Sequence, residues 1–547
     1  MRLFVKDRYF YGLTILGALL LGQLPILLHI WHTPSGFYYP YLDKVAFSDY
    51  YYIALTRFGM GTDWLLKIPY VVDNHQGSII QIFFLLLGKI SIISGIGPAE
   101  AIALSRIFGG MLYSFSVVLL FRFLLPKIQA RFAFILFLIT EPFPTINLLQ
   151  PISDWGFMNW IWHFGEAVRK ISVMPPHYTI GRGLVILSIY FFLIFLRNTR
   201  FRNAVISGLI MTAAGIIYPP PVFILFVSLI TGFSLCVISD RKYRDFFLSK
   251  IKKRLLGLIL FTLCALLPLT LLKIEIAKGF PWNRWNEVEL GWNTTYMNFE
   301  ANYLLMLGLP LLLIPFSLKI LLVKDKRFYE KLLVFIWFLS PFLLFPFANL
   351  LRLGKFRFIE GAQIVPESIL ALWGFQYFLE YLSKFLKSRY VHYFKIIFIT
   401  VIFGNFFLYT AASTYFSTWT LWGYNTNVYI TPGELEALSF IERNVRSDSI
   451  VLADLYPSNF IPAFAQVRTV IGFPDFYKDN YDYLTDQNNI NDILSGKMPE
   501  NEARKYIKRR NVDFVYKQTP AANSVSLYPS LMEEIFNNKK IAIYKVK

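Results

Sequence analysis

Long apolar segments alternate with short charged segments along most of this chain. A helix needs about twenty apolar residues to cross roughly 30 Å of hydrocarbon, and runs of that length recur up to residue 418. They predict transmembrane helices near residues 9–30, 103–125, 129–147, 178–197, 203–220, 221–239, 255–276, 301–322, 331–350, 362–384 and 394–416. The pattern therefore predicts a polytopic α-helical membrane protein with about 11 transmembrane helices.

One apolar segment, Ile79–Ser94, does not fit this series. It is about sixteen residues long with Lys89 near its middle, and counting it as a span would invert every later loop. We expect it to form a juxtamembrane helix that lies in the interface.

The pattern changes after Thr418, where spanning runs stop and ordinary charge density returns. Thr431 and Pro432 are a typical N-cap and first residue of a helix. Strands are predicted at 449–453, 512–516 and 541–544, and a further helix at 502–509. The predicted organisation is a transmembrane domain at 1–418, with juxtamembrane helices in the loop 31–100, and a small soluble, extracytoplasmic α/β domain at 431–547.

Composition agrees with a membrane protein, since 55% of the 547 residues are hydrophobic and only 16% are charged. The net charge of +19 falls in short clusters between the spans, at 241–254, 324–327 and 384–389. Such clusters mark the cytoplasmic side and do not indicate a nucleic-acid partner. They place the N-terminus inside and predict four outer loops, at 31–77, 148–177, 278–300 and 351–361.

The two cysteines, Cys236 and Cys264, lie inside apolar runs and predict neither a disulfide nor a metal site. The chain also has no Gly-rich phosphate loop after a strand and no Gly-x-Ser-x-Gly motif. Use of ATP and serine hydrolysis are therefore not supported.

The first outer loop carries the main candidate for chemistry. Asp49 lies about twenty residues past the first span, directly before three tyrosines, and is a candidate general base. Asp73 and His75 follow in the same loop and are candidate substrate-binding residues, although two ligand-type residues two positions apart are weak evidence for a metal.

Further candidate binding residues lie in the second and fourth outer loops. His177 and Arg182 stand at a predicted helix start, after two prolines. The segment 351–361, here called the cation loop, contains Arg352, Lys355 and Arg357. Anchoring to lipid head groups is one interpretation of these cations, and a phosphate clamp is the other, because arginine matches phosphate oxygens in geometry.

The order of these features resembles the GT-C superfamily of membrane glycosyltransferases. A first span is followed by a long outer loop with an early aspartate in an aromatic context, Asp49. An amphipathic helix then ends in Leu87-Gly88, and the next span opens with Ser105-Arg106. The chain looks closest to the bacterial branch related to protein O-mannosyltransferases and the aminoarabinose transferase of lipid A.

This resemblance implies a plasma-membrane enzyme that moves a sugar from a polyprenyl-phosphate donor to a glycan, lipid or protein acceptor on the outer face. It implies that Asp49 is the base, and that Arg357, with Arg352 or Lys355, holds the lipid phosphate. The tyrosines that follow Asp49 are then expected to be able to stack on the sugar. Some family members carry paired acidic residues in the first loop, whereas here Asp49 is followed by Tyr50. A divalent cation is therefore left open as a cofactor, and no tightly held metal is expected.

Two other functions remain open. A lipid or polysaccharide transporter, or flippase, would carry charged residues deep within its spans, and here the spans look mostly free of strong charge. A catalytically inactive protein of envelope assembly would keep the same sequence pattern. Neither interpretation involves nucleic acid.

Overall fold

The computed structural model describes residues 2–42, 47–143, 171, 175–238, 250–295, 299–322, 327–418, 428–473, 477, 480–518 and 527–547. Most of the predicted loop 148–177 lies outside the described residues, as do the basic residues 241–244 and 324–326.

The part of the chain before residue 419 is helical. Its helices are α1 (Arg2–His32), α2 (Phe47–Gly59), α3 (Ile82–Ser94), α4 (Pro98–Leu124), α5 (Lys127–Ile139), α6 (Pro176–Asn198), α7 (Phe201–Ile217), α8 (Pro219–Ile238), α9 (Ile251–Ile276), α10 (Arg284–Thr295), α11 (Phe299–Leu307), α12 (Ile314–Ser317), α13 (Lys319–Leu322), α14 (Phe328–Leu344), α15 (Ala348–Leu351), α16 (Ile364–Leu382) and α17 (Ser388–Thr418). Short 3₁₀ turns at Leu309–Leu313, Phe345–Phe347 and Lys355–Glu360 connect some of them.

Seven of the described helices are long and apolar enough to cross a membrane, or eight if α11 and the helical residues that follow it form one bent span. The prediction of a polytopic helical protein is confirmed, and the count of eleven spans stays a prediction. The predicted span at 301–322 is broken, with a bend of 87° after Leu307. Gly308 makes the bend possible, since its φ is +71° and a Cβ there would meet the carbonyl oxygen of Glu141 at 1.9 Å.

The apolar segment that did not fit the spans forms α3, a helix of 13 residues. At about 1.5 Å per residue it is too short to cross the hydrocarbon. Leu86, Ile90 and Ile93 are exposed, while Phe84 and Leu87 are buried. The expected short helix is confirmed, but it ends at Ser94 and not at Leu87-Gly88, and both its buried and its exposed face are apolar. Its place in the membrane interface stays a prediction.

The chain divides into two compact units. We call the first the helical unit, which comprises Met1–Pro25, Ser105–Leu272 and Glu289–Phe416. The second, the mixed unit, comprises Ile26–Leu104, Lys273–Val288 and Ser417–Lys547. The first loop therefore belongs to the same compact unit as the C-terminal region, a grouping that the predicted division into 1–418 and 431–547 did not include.

The C-terminal region contains a five-stranded sheet of mixed direction in the order β2-β1-β3-β5-β4. Its elements are α18 (Pro432–Asn444), β1 (Ile450–Leu452), α19 (Leu455–Phe464), β2 (Arg468–Thr469), α20 (Asn480–Leu494), α21 (Glu500–Arg509), β3 (Phe514–Gln518), β4 (Met532–Asn537) and β5 (Ile541–Val546). Strand β1 pairs in parallel with β2 and β3, and β5 pairs antiparallel with β3 and β4. The predicted capping of α18 and the three predicted strands are confirmed.

The first loop and the C-terminal region share one hydrophobic core. Residues of α2, such as Tyr51 and Leu55, are buried in the same cluster as Phe460 of α19 and Ile543 of β5. Hydrogen bonds accompany this packing, as Tyr70 donates its hydroxyl to the carbonyl oxygen of Asn459 at 2.8 Å. The C-terminal region thus supports the loop that carries Asp49.

Candidate functional site

Asp49 lies half-buried in the first turn of α2. A carboxylate is favoured there by the positive end of the helix dipole. The following residues, Tyr50–Thr56, are all buried. Packing therefore fixes the helix, and with it the backbone from which Asp49 extends.

The tyrosines that follow Asp49 are core residues. Tyr51 stacks on Phe473, with ring centroids 5.4 Å apart, and Tyr52 stacks on Phe84 at 4.7 Å. These rings hold α2 against the rest of the mixed unit, so the expectation that they could stack on a sugar is wrong. Other apolar residues at these positions could have packed in the same way. The sequence therefore did not distinguish buried rings from exposed ones.

His75 orders its own loop. Its Nε2 accepts a hydrogen bond from the amide of Ile68 at 3.0 Å, and its Nδ1 lies 2.9 Å from the carbonyl oxygen of Asp73. This pattern fits a neutral imidazole that carries its proton on Nδ1. Burial lowers the pKa of His75, and the charges of Arg468 and Lys67 lower it further, against the opposing effect of Asp73. The side chain of Asp73 is exposed.

The segment after His75 is anchored by a carboxylate that the sequence analysis did not single out. Glu275 Oε2 accepts a hydrogen bond from the hydroxyl of Ser78 at 2.5 Å and pairs with Lys278 at 2.6 Å. The indole of Trp282 donates to the carbonyl oxygen of Gln76 at 2.8 Å. These contacts fix residues 76–78, at the end of the first loop, just before α3 begins.

In the helical unit, the cation loop is paired with carboxylates. Arg357 binds Glu289 through two hydrogen bonds, of which the one from Nε to Oε2 measures 3.0 Å, and it donates from Nη1 to Glu360 at 3.1 Å. Lys355 pairs with Glu300 at 2.6 Å. The segment 351–361 contains one glutamate, Glu360, and the fold brings Glu289 and Glu300 to it as well, so the three cations of the loop are largely balanced by carboxylates.

Helix α10 holds the cation loop in shape. Asn293 lies one helical turn after Glu289, so both side chains leave the same face. Its amide donates to the carbonyl oxygen of Leu353 at 3.0 Å and accepts the backbone N–H of Lys355 at 2.7 Å. One sequence signal could have identified this contact. It is a glutamate followed four residues later by an asparagine, in a predicted outer loop on the same side of the membrane as the three cations.

Arg352 differs from the other two cations of the loop. It ends α15 in the left-handed conformation, with φ +52°, and its side chain is exposed. Among the described residues, no ion pair involves Arg352. It is therefore the cation of the loop that an anionic ligand can reach without displacing a carboxylate.

His177 and Arg182 are buried at the start of α6, after Pro175 and Pro176 as the sequence predicted. The imidazole lies against the rings of Tyr178 and Tyr218, at 4.3 Å and 5.6 Å between centroids, and those two rings lie 4.4 Å apart. The guanidinium of Arg182 lies 5.9 Å from the centre of the Tyr178 ring. A compact polar and aromatic cluster results.

Glu360 links this cluster to the cation loop. The residue is fully buried, and burial raises the pKa of Glu360 to about 8, while the positive charge of Arg182 acts to lower it. Since Glu360 also accepts the hydrogen bond from Arg357, the fold brings together Arg182 and Arg357, two of the predicted binding residues, around one carboxylate.

Several charged side chains are buried within the helices, contrary to the expectation that the spans lack strong charge. They include Arg106 of α4, Arg182 of α6 and Glu367 of α16. In an apolar environment such residues are costly and mark functional sites by default. Within the described ranges, the structure has no group of three or more His, Cys, Asp or Glu side chains placed to hold a metal ion.

The fold is shared with solved membrane glycosyltransferases. The oligosaccharyltransferase of Archaeoglobus fulgidus, solved with a tethered acceptor peptide, matches with a TM-score of 0.53 at 15% identity, over 93% of this chain and 69% of that one. ArnT from Cupriavidus metallidurans bound to undecaprenyl phosphate matches with a TM-score of 0.53 at 11% identity, over 98% of each chain. Neither the protein-family models nor the curated proteins contain a match. These two structures confirm the fold that the sequence resemblance implied.

Proposed function

We propose that this protein is a glycosyltransferase that moves a sugar from a polyprenyl-phosphate donor to an acceptor at the outer face of the plasma membrane. The observation that carries the proposal is the ordered cation loop, in which Arg352 is exposed and Arg357 is held beside buried carboxylates. Cations of this kind stabilise the charge that develops on a departing lipid phosphate.

The fold supports the same reaction class. One solved structure with this fold is an ArnT bound to undecaprenyl phosphate, and another is an oligosaccharyltransferase. A lipid-linked donor also explains why the site belongs to a membrane protein. Each methylene moved out of an apolar environment costs about 0.8 kcal/mol, so a soluble enzyme would extract a polyprenyl chain at great cost.

Asp49 is the proposed general base. It would take the proton of the attacking acceptor group, for which a carboxylate on a rigid helix is suited. Arg352, Lys355 and Arg357 would bind the phosphate. We further propose that Asp73, His75, His177 and Arg182 contribute to the surroundings of the substrate, and that residues 431–547 face the outside and help to position the acceptor.

The direct test uses the purified protein in lipid nanodiscs with decaprenyl-phosphate hexoses labelled in the sugar. Membranes of cells that lack the gene supply the acceptor. We expect label to enter acid-stable material with wild-type protein and not with Asp49→Asn. Equal incorporation in the absence of protein, or no binding of either decaprenyl phosphate or its sugar esters, would overturn the proposal.

A transporter of lipid-linked glycans is the second candidate, favoured by the buried Arg106, Arg182 and Glu367. Proteoliposomes separate the two functions. A transporter would expose a labelled lipid-linked sugar on the opposite leaflet without breaking the bond to phosphate. A transferase would release the bare lipid phosphate.

A further inference from the structure

Three polar side chains lie where the cation loop leads into α16. Glu360 ends the 3₁₀ turn Lys355–Glu360, and Gln363 directly precedes α16. Glu367 follows Gln363 by one helical turn, and its amide donates to the carbonyl oxygen of Gln363 at 3.1 Å. All three are buried. The helical unit thus contains a carboxylate–amide–carboxylate series next to Arg182 and Arg357.

Several hydrogen-bonding atoms of this series remain unmatched. In the described part of the chain, Glu360 Oε1 and Gln363 Oε1 accept no hydrogen bond, although Glu360 Oε2 is bound to Arg357 and the amide of Gln363 donates to Ser340 at 3.2 Å. Buried polar atoms are almost always paired in folded proteins, with protein, water or ligand. These two acceptors can therefore receive hydrogen bonds from the donors of a ligand or of water.

A tyrosine from a second helix faces the same series. Tyr303 of α11 is buried, and Glu367 lies close enough for its charge to act on the phenol. The hydroxyl of Tyr303 has no hydrogen-bond partner among the described residues. Its ring packs against Phe342 and Phe345 at 5.2 Å and 5.7 Å between centroids, so the hydroxyl is held in place.

We infer that Glu360, Gln363 and Tyr303 bind the hydroxyl groups of the donor sugar, an inference that rests on the proposed function. Neutral sugar hydroxyls donate to carboxylate and amide oxygens and accept from a phenol. The neighbouring guanidinium groups of Arg182 and Arg357 favour the phosphate to which the sugar is attached. The series thus distinguishes a sugar-bearing lipid phosphate from a bare one.

The test compares affinities of the full-length protein in nanodiscs for decaprenyl phosphate and for decaprenyl-phosphate glucose, galactose and mannose. Wild type should bind one of the hexose esters more tightly than the bare lipid phosphate. Gln363→Leu and Tyr303→Phe should each reduce that preference, by up to about tenfold for a lost hydrogen bond between neutral groups, while binding of bare decaprenyl phosphate changes little.

Of these variants, Tyr303→Phe disturbs the fold least, because it removes only one oxygen atom. Tyr516→Phe is its matched control, since Tyr516 is a buried tyrosine of β3 whose hydroxyl is also unmatched among the described residues. The control should keep the full preference.

The outcomes separate the two proposals. If wild type binds neither kind of lipid, the proposed function fails and this inference with it. If wild type binds the lipid phosphate but shows no preference for any sugar ester, or if the variants retain the preference, the inference alone is overturned.

Discussion

Arg357 and Glu289 form a two-point ion pair, in which Nε and Nη2 of the guanidinium bind the two carboxylate oxygens, the first at 3.0 Å. The carboxylate of Glu289 is buried, and the second carboxylate bound to Arg357, that of Glu360, is fully buried. The fork that suits a phosphate is therefore already occupied. An anionic donor must either share Arg357 with these carboxylates or replace one of them.

This pairing predicts two effects of Arg357→Ala. Donor binding should weaken by about 1.5–3 kcal/mol if one charged hydrogen bond to phosphate is lost. The melting temperature should also fall, because Glu289 and Glu360 would be left as buried carboxylates without their partner. Arg357→Lys should restore the charge and part of the stability, but not the two-point geometry.

Glu289→Gln in the Arg357→Ala background is the matched variant, since it removes the unpaired charge. It should recover stability and leave donor binding weak. Equal donor affinity in wild type and Arg357→Ala would assign the cation loop to lipid anchoring instead.

The orientation of the loops can be tested with single cysteines. We expect Thr62→Cys of the first loop and Ser447→Cys of the C-terminal region to react with an impermeant maleimide in intact cells, because both positions are exposed and predicted to lie outside. Ser388→Cys, exposed at the start of α17, should react only after lysis. Cys236 and Cys264 would first be replaced by alanine. Labelling of Ser388→Cys in intact cells would show that the protein has the opposite topology.

The first loop should loosen at acidic pH through His75. Burial lowers the pKa of His75, so the folded state disfavours the protonated form. Its contribution to stability is present above the unfolded pKa, about 6.5, and is lost as the pH falls through the lower, folded pKa. Protonation converts Nε2 from acceptor to donor and breaks the hydrogen bond from Ile68.

Hydrogen exchange measures this step directly. The protection factor of the Ile68 amide should drop as the pH falls below about 6.5. The Leu66 amide, which donates to the carbonyl oxygen of Ser78 at 2.8 Å, should stay protected over the same range. In His75→Phe, Ile68 should lack protection at every pH. Constant protection of Ile68 down to pH 5 would show that His75 does not titrate as described.

Periodic features of the chain were predictable from sequence, and features that depend on distant contacts were not. The apolar runs identified the helices around 178–197 and 394–416, and Thr431 with Pro432 identified the start of α18. Strand β2, with only two residues, carries no readable pattern. Its position depends on pairing with β1.

The candidate site shows the same limit. Arg182 and Arg357 were selected from their local context, but the sequence could not show that Glu360 joins them, because that contact depends on how α6 packs near the cation loop. Tyr51 and Tyr52 follow a carboxylate in a predicted loop, and nothing local indicates that their rings are covered. They are buried because Phe473 of the C-terminal region stacks on Tyr51 and Phe84 of α3 stacks on Tyr52.

Packing between the first loop and the C-terminal region can be tested at Gly472. A Cβ at this position would lie 2.2 Å from Cδ1 of the buried Tyr70. Gly472→Ala should therefore destabilise the mixed unit by about 1–3 kcal/mol, as overpacking usually does. Hydrogen exchange of α2 should increase as well, since α2 and this region share one core.

Gly404→Ala is the control for that substitution, because a Cβ on Gly404 meets nothing within 4 Å. It should leave both the melting temperature and the exchange of α2 unchanged. Truncation after Thr418 should have the same effect on α2 as Gly472→Ala, in a stronger form. Full protection of α2 in the truncated protein would show that the first loop folds without the C-terminal region.

The role of Asp49 can be separated from a general effect of charge in the first loop. Asp49→Asn keeps the shape and removes the proton acceptor, so transfer should fall by roughly 10²–10⁴, the usual contribution of a positioned base. Asp73→Asn is the matched control, since Asp73 lies in the same loop with an exposed side chain and contributes to the His75 hydrogen bond only through its backbone. Its transfer rate should fall less than that of Asp49→Asn. Both variants should bind decaprenyl phosphate normally, because that affinity is assigned to the cation loop.

Two outcomes would contradict this assignment. If Asp73→Asn is inactive and Asp49→Asn is active, Asp73 is the base. If both variants transfer at the wild-type rate, the base is neither residue of this loop.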